Sequence, residues 1–210
     1  MSPLPYIFVP PDIRAAAVVW LITVTTLGSD LWARLVGREV ELVTLGTIPG
    51  IRSADYGDLA RLVELNNAAV PAVNHLTVDE MEWFLKVAHR FLVAEASDDG
   101  TVVALLVGLD GPGCSYDSSY YAFFCNRYER FLYVDRVVVD PAAWGGGVGQ
   151  AFYRAFASSA DGHTHLCAEV NTMPRNDRSL AFHARYGFEA VGEQSDEATA
   201  KAVRMFALAL

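Results

Sequence analysis

The sequence predicts an α+β domain in which helices cover both faces of a mixed central sheet, giving three layers. Apolar runs of strand length alternate with segments whose apolar residues recur at helical spacing. The order of these elements is mixed, and no internal repeat is present. The chain has 210 residues, of which 52% are hydrophobic, so a single domain with an ample core is expected.

The first predicted elements are a strand and two helices. Val40–Thr47 is predicted as the first strand. Ser53 is predicted to cap a helix that runs to about Asn67, because apolar residues follow it at helical spacing. Thr77 and Glu80 have the spacing of a capping box, in which each side chain bonds the other residue's backbone N–H. They are predicted to begin the second helix.

A hairpin and the central strand are predicted next. Phe91–Ala96 and Thr101–Leu109 form the hairpin, with its turn at Asp98-Asp99-Gly100. The stretch Asp110–Arg130 is rich in Gly, Ser, Tyr and Asn, and it is predicted as a long loop. Leu132–Val139 contains a β-branched run and is predicted as the central strand.

The C-terminal part contains the remaining elements. A glycine-rich turn at Trp144–Gly149 leads into a helix whose apolar residues include Val148, Phe152 and Phe156. The later elements are a strand at His165–Val170, a helix at Arg178–Tyr186, and closing strands at Phe188–Glu193 and Ala202–Ala209.

Charge and cysteine content exclude some partners. The formal net charge of −9 argues against nucleic acid, because its binding depends on Lys and Arg neutralising phosphates. Cys114, Cys125 and Cys167 are an odd number without C-x-x-C spacing, which indicates free thiols in the cytoplasm. His163 and His165 share one strand face, but no third ligand stands at a recognisable spacing, so no metal site is predicted.

Residues 1–39 are interpreted as an N-terminal extension and residues 40–210 as the domain. Ala15–Leu27 is an apolar run of 13 residues, whereas a spanning helix needs about 20. A secretory signal would have this core length, but its basic leader is thin and Gly28-Ser29-Asp30 is not an A-x-A cleavage site. We therefore expect an appended helix or a start codon placed too far upstream, and no membrane partner.

The glycine-rich turn is the strongest functional pattern in the chain. A strand, a glycine turn and a helix together aim backbone N–H groups and a positive helix end at one point, which suits a phosphate. A Walker-type loop would continue with Gly-Lys-Ser/Thr, but Gln150-Ala151 follows. A dinucleotide fold would place the glycines after the first strand of a βαβ repeat, and no such repeat precedes them.

Between Leu132 and Phe188 the chain resembles the GNAT superfamily of acyl-CoA-dependent N-acetyltransferases. The pyrophosphate loop of that family reads Gln/Arg-x-x-Gly-x-Gly/Ala, and here Gly147 and Gly149 match while Trp144 takes the first position. A second family motif is matched at its spacing by Asn176 and Gly187-Phe188, with His183 where a Tyr is usual. Within the superfamily, Phe131–Arg136 and Glu169–Asn171 look like a subgroup of predicted bacterial acetyltransferases with unassigned substrates.

This resemblance implies a mostly antiparallel sheet whose two central strands splay apart, and acetyl-CoA as cosubstrate. It implies that backbone groups of the first of these strands bind the pantetheine arm and polarise the thioester carbonyl. The alternative interpretation of its three valines, that they simply form a buried strand, is compatible with that role. The cofactor contacts implied by the resemblance fall on Val137, Val138, Val139, Trp144, Gly145, Gly146, Gly147, Val148, Gly149, Gln150, Asn176 and Ser179.

Acetyl transfer to a charged amine requires a base, and two carboxylates are candidates. Asp135 lies on the central strand, where alternation predicts that it shares a face with Tyr133 and Val137. Glu169 lies near the end of the neighbouring strand. Asp135 is the first candidate and Glu169 the second. The alternative for Asp135 is a structural ion pair with Arg136 or another Arg.

The departing thiolate also needs a proton. His183, at the family's Tyr position, is a candidate acid because an imidazolium with a pKa of about 6.5 can protonate a thiolate. It could instead be a spectator, and Tyr186 lies nearly on the same helix face. Asn176 is predicted as an N-cap, as a pantetheine contact, or as both.

We therefore predict an N-acetyltransferase that transfers an acetyl group from acetyl-CoA to a primary amine of a small molecule or peptide. The alternative is a non-catalytic acyl-CoA-binding or sensor module, favoured by the missing Tyr. Tyr116, Asp117 and Tyr121, in the predicted loop before the central strand, are weak candidates for the acceptor pocket. Whether the chain forms a homodimer is left open.

Overall fold

The computed structural model of the protein describes residues 50–196 and 200–210. The predictions for residues 1–39 and for the strand Val40–Thr47 lie outside the described residues. None of the helices in these two described segments is long and apolar enough to cross a membrane.

The described residues form one seven-stranded sheet with the order β1-β2-β3-β4-β5-β7-β6. Only the central pair β4 and β5 runs parallel within this described sheet, and every other neighbouring pair is antiparallel. The predicted mixed, mostly antiparallel sheet is confirmed. The strands are β1 Gly50–Ser53, β2 Arg90–Glu95, β3 Val102–Gly111, β4 Phe131–Val139, β5 His165–Met173, β6 Glu189–Asp196 and β7 Lys201–Ala209.

Five α-helices connect these strands in the described residues. They are α1 Leu59–Ala68, α2 Val78–Val87, α3 Ser119–Cys125, α4 Val148–Ala157 and α5 Asp177–Tyr186. The capping box predicted at the start of α2 is confirmed, because Thr77 Oγ1 accepts from Glu80 N at 3.3 Å and Glu80 Oε2 accepts from Thr77 N at 2.7 Å.

Two predictions about helices are wrong. Ser53 is no cap, because it pairs with Leu92 as the last residue of β1. The cap is Asp55, which begins a 3-10 turn ahead of α1. The predicted loop Asp110–Arg130 contains α3, which Ser118 caps by accepting from Tyr121 N at 3.3 Å. Tyr121 and Phe124 of this short helix are buried against the sheet and stabilise the helix there.

Two apolar clusters lie on opposite faces of the sheet. Successive residues of β3 alternate between them, with Leu105 in one cluster and Leu106 in the other. The first cluster holds the sheet against α1, α2 and α3, and the second holds it against α4 and α5. Each fully buried Leu or Phe, such as Leu62 or Phe156, contributes about 1.5–3 kcal/mol. Helices on both faces are therefore confirmed.

The two central strands separate halfway along their length. β4 and β5 pair from Phe131↔His165 to Val134↔Ala168, and the ladder then ends. Both strands continue beyond this point while keeping their outer partners, β4 with β3 and β5 with β7. The facing edges of β4 and β5 therefore open into a gap, as the splayed central strands of the prediction require.

A β-bulge lies at the point of separation. Val107 pairs with Arg136 and Gly108 with Val134, so Asp135 is an extra residue without a partner on β3. The prediction that Asp135 shares a face with both Tyr133 and Val137 is wrong. The bulge shifts the alternation, and consequently Tyr133 packs in the cluster under α1–α3 while Val137 packs against the cluster under α4 and α5.

Candidate active site

Asp135 and Glu169 stand at the opening between β4 and β5. Each directly follows the last paired residue of its strand, because the ladder ends at Val134↔Ala168. The Tyr133 hydroxyl donates to Glu169 Oε2 at 2.7 Å. The structure thus brings together the two carboxylates that the sequence offered as candidate bases, and it adds a tyrosine hydroxyl that was not predicted.

The Asp135 carboxylate is held by a buried arginine. Its side chain is 4% exposed, and Arg136 Nε donates to its Oδ2 at 2.6 Å. Arg136 also donates to Asn66 Oδ1 at 2.8 Å and to Asn74 Oδ1 at 3.1 Å. Its guanidinium lies 4.8 Å from the centre of the Phe84 ring. The structural ion pair considered for Asp135 is therefore present, and its arginine is fully engaged.

Glu169 has the protonation behaviour of a base near neutral pH. Burial, followed by the charge of Asp135, raises the pKa of Glu169 to about 8, against the opposing effect of the hydrogen bond from Tyr133. A base is most effective when its pKa lies near the working pH, since it must be deprotonated and still hold the proton it accepts. This property favours Glu169 over the ion-paired Asp135.

His183 is a buried, neutral imidazole. It is 4% exposed and stacks on the Phe206 ring. Its Nδ1 lies 2.8 Å from the Ser179 carbonyl and so carries the proton, while Nε2 accepts from the Tyr153 hydroxyl at 2.8 Å. Burial lowers the pKa of His183 to about 4, although the bond to Ser179 opposes this. The ring therefore carries no imidazolium proton at neutral pH, which argues against the predicted acid role.

The buried state of His183 predicts a pH-dependent stability. The unfolded chain binds this proton below about pH 6.5, whereas the folded chain binds it only below about 4. Stability therefore falls as pH decreases through this window, by about 2 kcal/mol between pH 7 and pH 5 from this group alone. Urea unfolding of the wild type and of His183→Gln at both pH values measures it. Equal losses in the two proteins would contradict the assignment.

Tyr186, the second predicted acid, is the last residue of α5, and its ring faces Tyr153 of α4. Its ring packs against those of Tyr153, Phe182 and Phe188. The side chain is half-buried, and burial raises the pKa of its phenol. Among the described residues its hydroxyl has no hydrogen-bond partner. Tyr186 therefore keeps its proton at neutral pH and has a free donor.

The glycine-rich turn leads directly into α4 and leaves the first turn of that helix without a side-chain cap. Gly145 and Gly147 have φ angles of 82° and 78°, which an L side chain rarely adopts. Gly147 is the N-cap of α4 and provides no side-chain cap. The first N–H groups of a helix have no intrahelical acceptor, and no side chain caps those after Gly147. Trp144 differs, because its indole Nε1 already donates to the Val139 carbonyl at 2.8 Å.

Asn176 and the three candidates for the acceptor pocket lie in different environments. Asn176 caps α5, with its Oδ1 accepting from Ser179 N at 3.1 Å, so the capping role is confirmed. The Tyr121 hydroxyl donates to the Asp110 carbonyl at 2.6 Å inside the core, and Asp117 is exposed. Tyr116 is half-buried against the Tyr133 ring, beside Asp135.

Tyr133, Asn66 and Asn74 are functional candidates that sequence reasoning missed. The sequence predicted only which face of the central strand Tyr133 occupies, and the two asparagines stand about 60–70 positions before Arg136. No local pattern links these residues, because they meet only through the register of β4 against β5 and through the connection between α1 and α2.

Comparisons with known proteins agree with this geometry. The model of the acetyltransferase (GNAT) family matches residues 59–188. No curated protein matches the chain.

Several solved structures share the fold at low sequence identity. The protein yncA from Salmonella typhimurium, solved with its cofactor acetyl-CoA, is 23% identical over 78% of this chain and 95% of its own, with a TM-score of 0.58. Ribosomal-protein-alanine N-acetyltransferase from Brucella melitensis is 22% identical over 77% and 99%, with a TM-score of 0.56. NAA60 from Arabidopsis thaliana, in complex with a bisubstrate analogue, is 14% identical over 78% and 98%, with a TM-score of 0.62.

Proposed function

The chain belongs to the GNAT family of acetyltransferases, and from that premise we propose that it transfers acetyl groups at the opening between β4 and β5. It is an acetyl-CoA-dependent N-acetyltransferase, for which acetyl-CoA supplies a thioester as acyl donor. The observation that carries the proposed location is the end of the β4–β5 ladder beside Glu169, whose pKa is raised to about 8.

The residues around the opening fit coenzyme A. The uncapped beginning of α4 and the positive-φ glycines of the loop are suited to a diphosphate. A Cβ added at Gly145 or Gly147 would meet no atom within 4 Å, so these glycines border open space. Backbone groups of Val137–Val139 that face β5 have no partner strand there and are suited to an extended amide arm. Asn176 and Ser179, at the beginning of α5, remain proposed contacts.

Glu169 is the proposed base. An ammonium group of the acceptor gives one proton to the Glu169 carboxylate, and the neutral nitrogen then attacks the acetyl carbon. As the C–S bond breaks, the nitrogen releases its second proton to solvent, and the proton that the sulfur takes from its donor is replaced from solvent. The Tyr133 hydroxyl orients the Glu169 carboxylate. Asp135 contributes through its charge, which raises the pKa of Glu169 and attracts a cationic amine.

Tyr186 is the proposed proton donor to the sulfur when the C–S bond breaks. Tyr186→Phe is expected to lower kcat about tenfold without changing the Kd for CoA, because general acid catalysis is lost while the binding contacts remain. His183→Gln is the matched variant on the same helix, and it is expected to keep kcat within about twofold, because the neutral ring has no imidazolium proton to give. A large loss in His183→Gln with full activity in Tyr186→Phe would reverse the assignment.

The acceptor is proposed to be a primary amine of a small molecule or peptide that is cationic before it reacts. Glu169 carries a negative charge at the opening once it is deprotonated, and the chain carries a net charge of −9. Both features attract ammonium groups. CoA release measured across polyamines, amino acids, aminoglycosides and peptide N-termini tests this, and cationic amines are expected to react. If CoA binds and no amine is acetylated, the alternative of a non-catalytic acyl-CoA-binding module is correct.

A cytoplasmic location is proposed from the cysteines. Cys114, Cys125 and Cys167 are all free thiols. Free thiols persist in a reducing compartment, in which acetyl-CoA is also available to the enzyme.

A further inference from the structure

The Arg178 guanidinium stacks on the indole ring of Trp144, the first residue of the glycine-rich turn Trp144–Gly149. Its guanidinium carbon is 3.1 Å from the centre of the Trp144 indole ring. The ring is anchored in turn, because its Nε1 donates to the Val139 carbonyl at 2.8 Å. A planar guanidinium stacked on an aromatic ring keeps its N–H donors at its edge, where they are directed away from the ring and free for other acceptors.

The charge of Arg178 is not neutralised by the protein. Among the described residues, Arg178 has no salt-bridge or hydrogen-bond partner. The nearby Arg175 differs, because its Nε contacts Asp177 Oδ1 at 2.5 Å. The Arg178 guanidinium is thus exposed, held in place by the indole ring, and free to form charge-assisted hydrogen bonds with an anionic ligand.

The glycine-rich turn lies directly beside this arginine. Trp144 is the first residue of the glycine-rich turn, and Gly147, the N-cap of α4, leaves the beginning of that helix without a side-chain cap. The polar atom of Trp144 is already used by Val139, so this side chain offers the ligand no hydrogen bond of its own. The loop itself contains no cation, and Arg178 is the cation that reaches it from α5.

We propose that Arg178, supported by the Trp144 ring, binds the diphosphate of coenzyme A. This inference rests on the proposed position of coenzyme A on the loop Gly145–Gly149. The backbone N–H groups then supply the neutral hydrogen bonds, and the guanidinium supplies the charge-assisted ones. Trp144 acts as a positioning residue, because it contacts the arginine and not the phosphates.

Calorimetric titration of the full-length chain with CoA tests the proposal. Arg178→Gln is expected to weaken the Kd about tenfold, as loss of a charge-assisted contact predicts, and to reduce the dependence of the Kd on salt concentration. Arg175→Gln is the matched control, because it removes a charge three residues away that is already paired. Its Kd is expected to stay within about twofold of the wild type. Equal affinities of Arg178→Gln and Arg175→Gln would overturn the proposal.

Two further arms identify the phosphate and the role of the ring. With dephospho-CoA, which lacks the 3′-phosphate, Arg178→Gln is expected to show the same tenfold loss, whereas no loss would assign Arg178 to the 3′-phosphate and overturn the diphosphate assignment.

Trp144→Leu is expected to weaken CoA binding, and the double variant is expected to bind CoA no more weakly than Arg178→Gln alone, because both substitutions act through one guanidinium. Additive losses would contradict the positioning role. Failure of the wild type to bind CoA would instead refute the proposed function.

Discussion

Glu169→Gln is expected to lower kcat by a factor of about 10²–10⁴, the usual contribution of a general base, and to leave the Kd for acetyl-CoA unchanged. The amide keeps the size of the side chain and can still accept the hydrogen bond from Tyr133, but it cannot take a proton from the ammonium group. Steady-state kinetics with the best acceptor, together with calorimetric titration of CoA, measure both quantities. Glu193→Gln, an exposed carboxylate paired with Arg204 on the sheet, is the matched control and is expected to retain full activity. A Glu169→Gln variant with wild-type kcat would remove Glu169 from the mechanism.

The pH profile tests the same assignment independently. A base works only when it is deprotonated, and the pKa of Glu169 is raised to about 8. In the wild type kcat should therefore rise as pH increases through about 8, and Glu169→Gln should lack this limb. Asp135→Asn removes the neighbouring negative charge that raises this pKa, so its limb should shift to lower pH. If Asp135→Asn folds and binds CoA but loses all activity at every pH, Asp135 is the base, as the sequence first suggested.

Gly147→Asp is expected to weaken CoA binding at least about a hundredfold. Two unit charges 4 Å apart near a protein surface repel each other by about 4 kcal/mol, and the substitution places a carboxylate where the diphosphate is proposed to lie. Gly100→Asp is the matched control, because Gly100 has a φ of 72° in the β2–β3 turn and a Cβ there likewise meets no atom within 4 Å. Both variants carry the same added charge and a similar backbone strain, and only Gly147→Asp should lose CoA affinity. Unchanged affinity in Gly147→Asp would show that the diphosphate binds elsewhere.

Much of the fold was predictable from the sequence because its patterns are local. The capping box of α2, the β2–β3 hairpin and the glycine turn ahead of α4 each depend on residues within a few positions of one another. The helix α3 was missed because the stretch Asp110–Arg130 that contains it is rich in Gly, Ser, Tyr and Asn, and it is burial against the sheet that stabilises the helix. The cap at Asp55 was missed because Ser53 pairs with β2, which is a contact between distant residues.

The candidate site was predictable in its residues and not in its electrostatics. Asp135 and Glu169 were both identified, but the choice between them depends on the ion pair of Asp135 with Arg136 and on the burial of Glu169. His183 was expected to titrate near neutral pH. Its low pKa instead follows from packing between Tyr153 and Phe206, which no local pattern indicates.

The most direct test of the central claim is a crystal structure of the protein with coenzyme A. We expect the diphosphate to lie within hydrogen-bond distance of backbone N–H groups of Gly145–Gly149, with the pantetheine arm along Val137–Val139 and the sulfur beside the opening at Glu169. A complex in which the diphosphate occupies another surface, or in which β4 and β5 pair along their whole length and close the opening, would contradict the account.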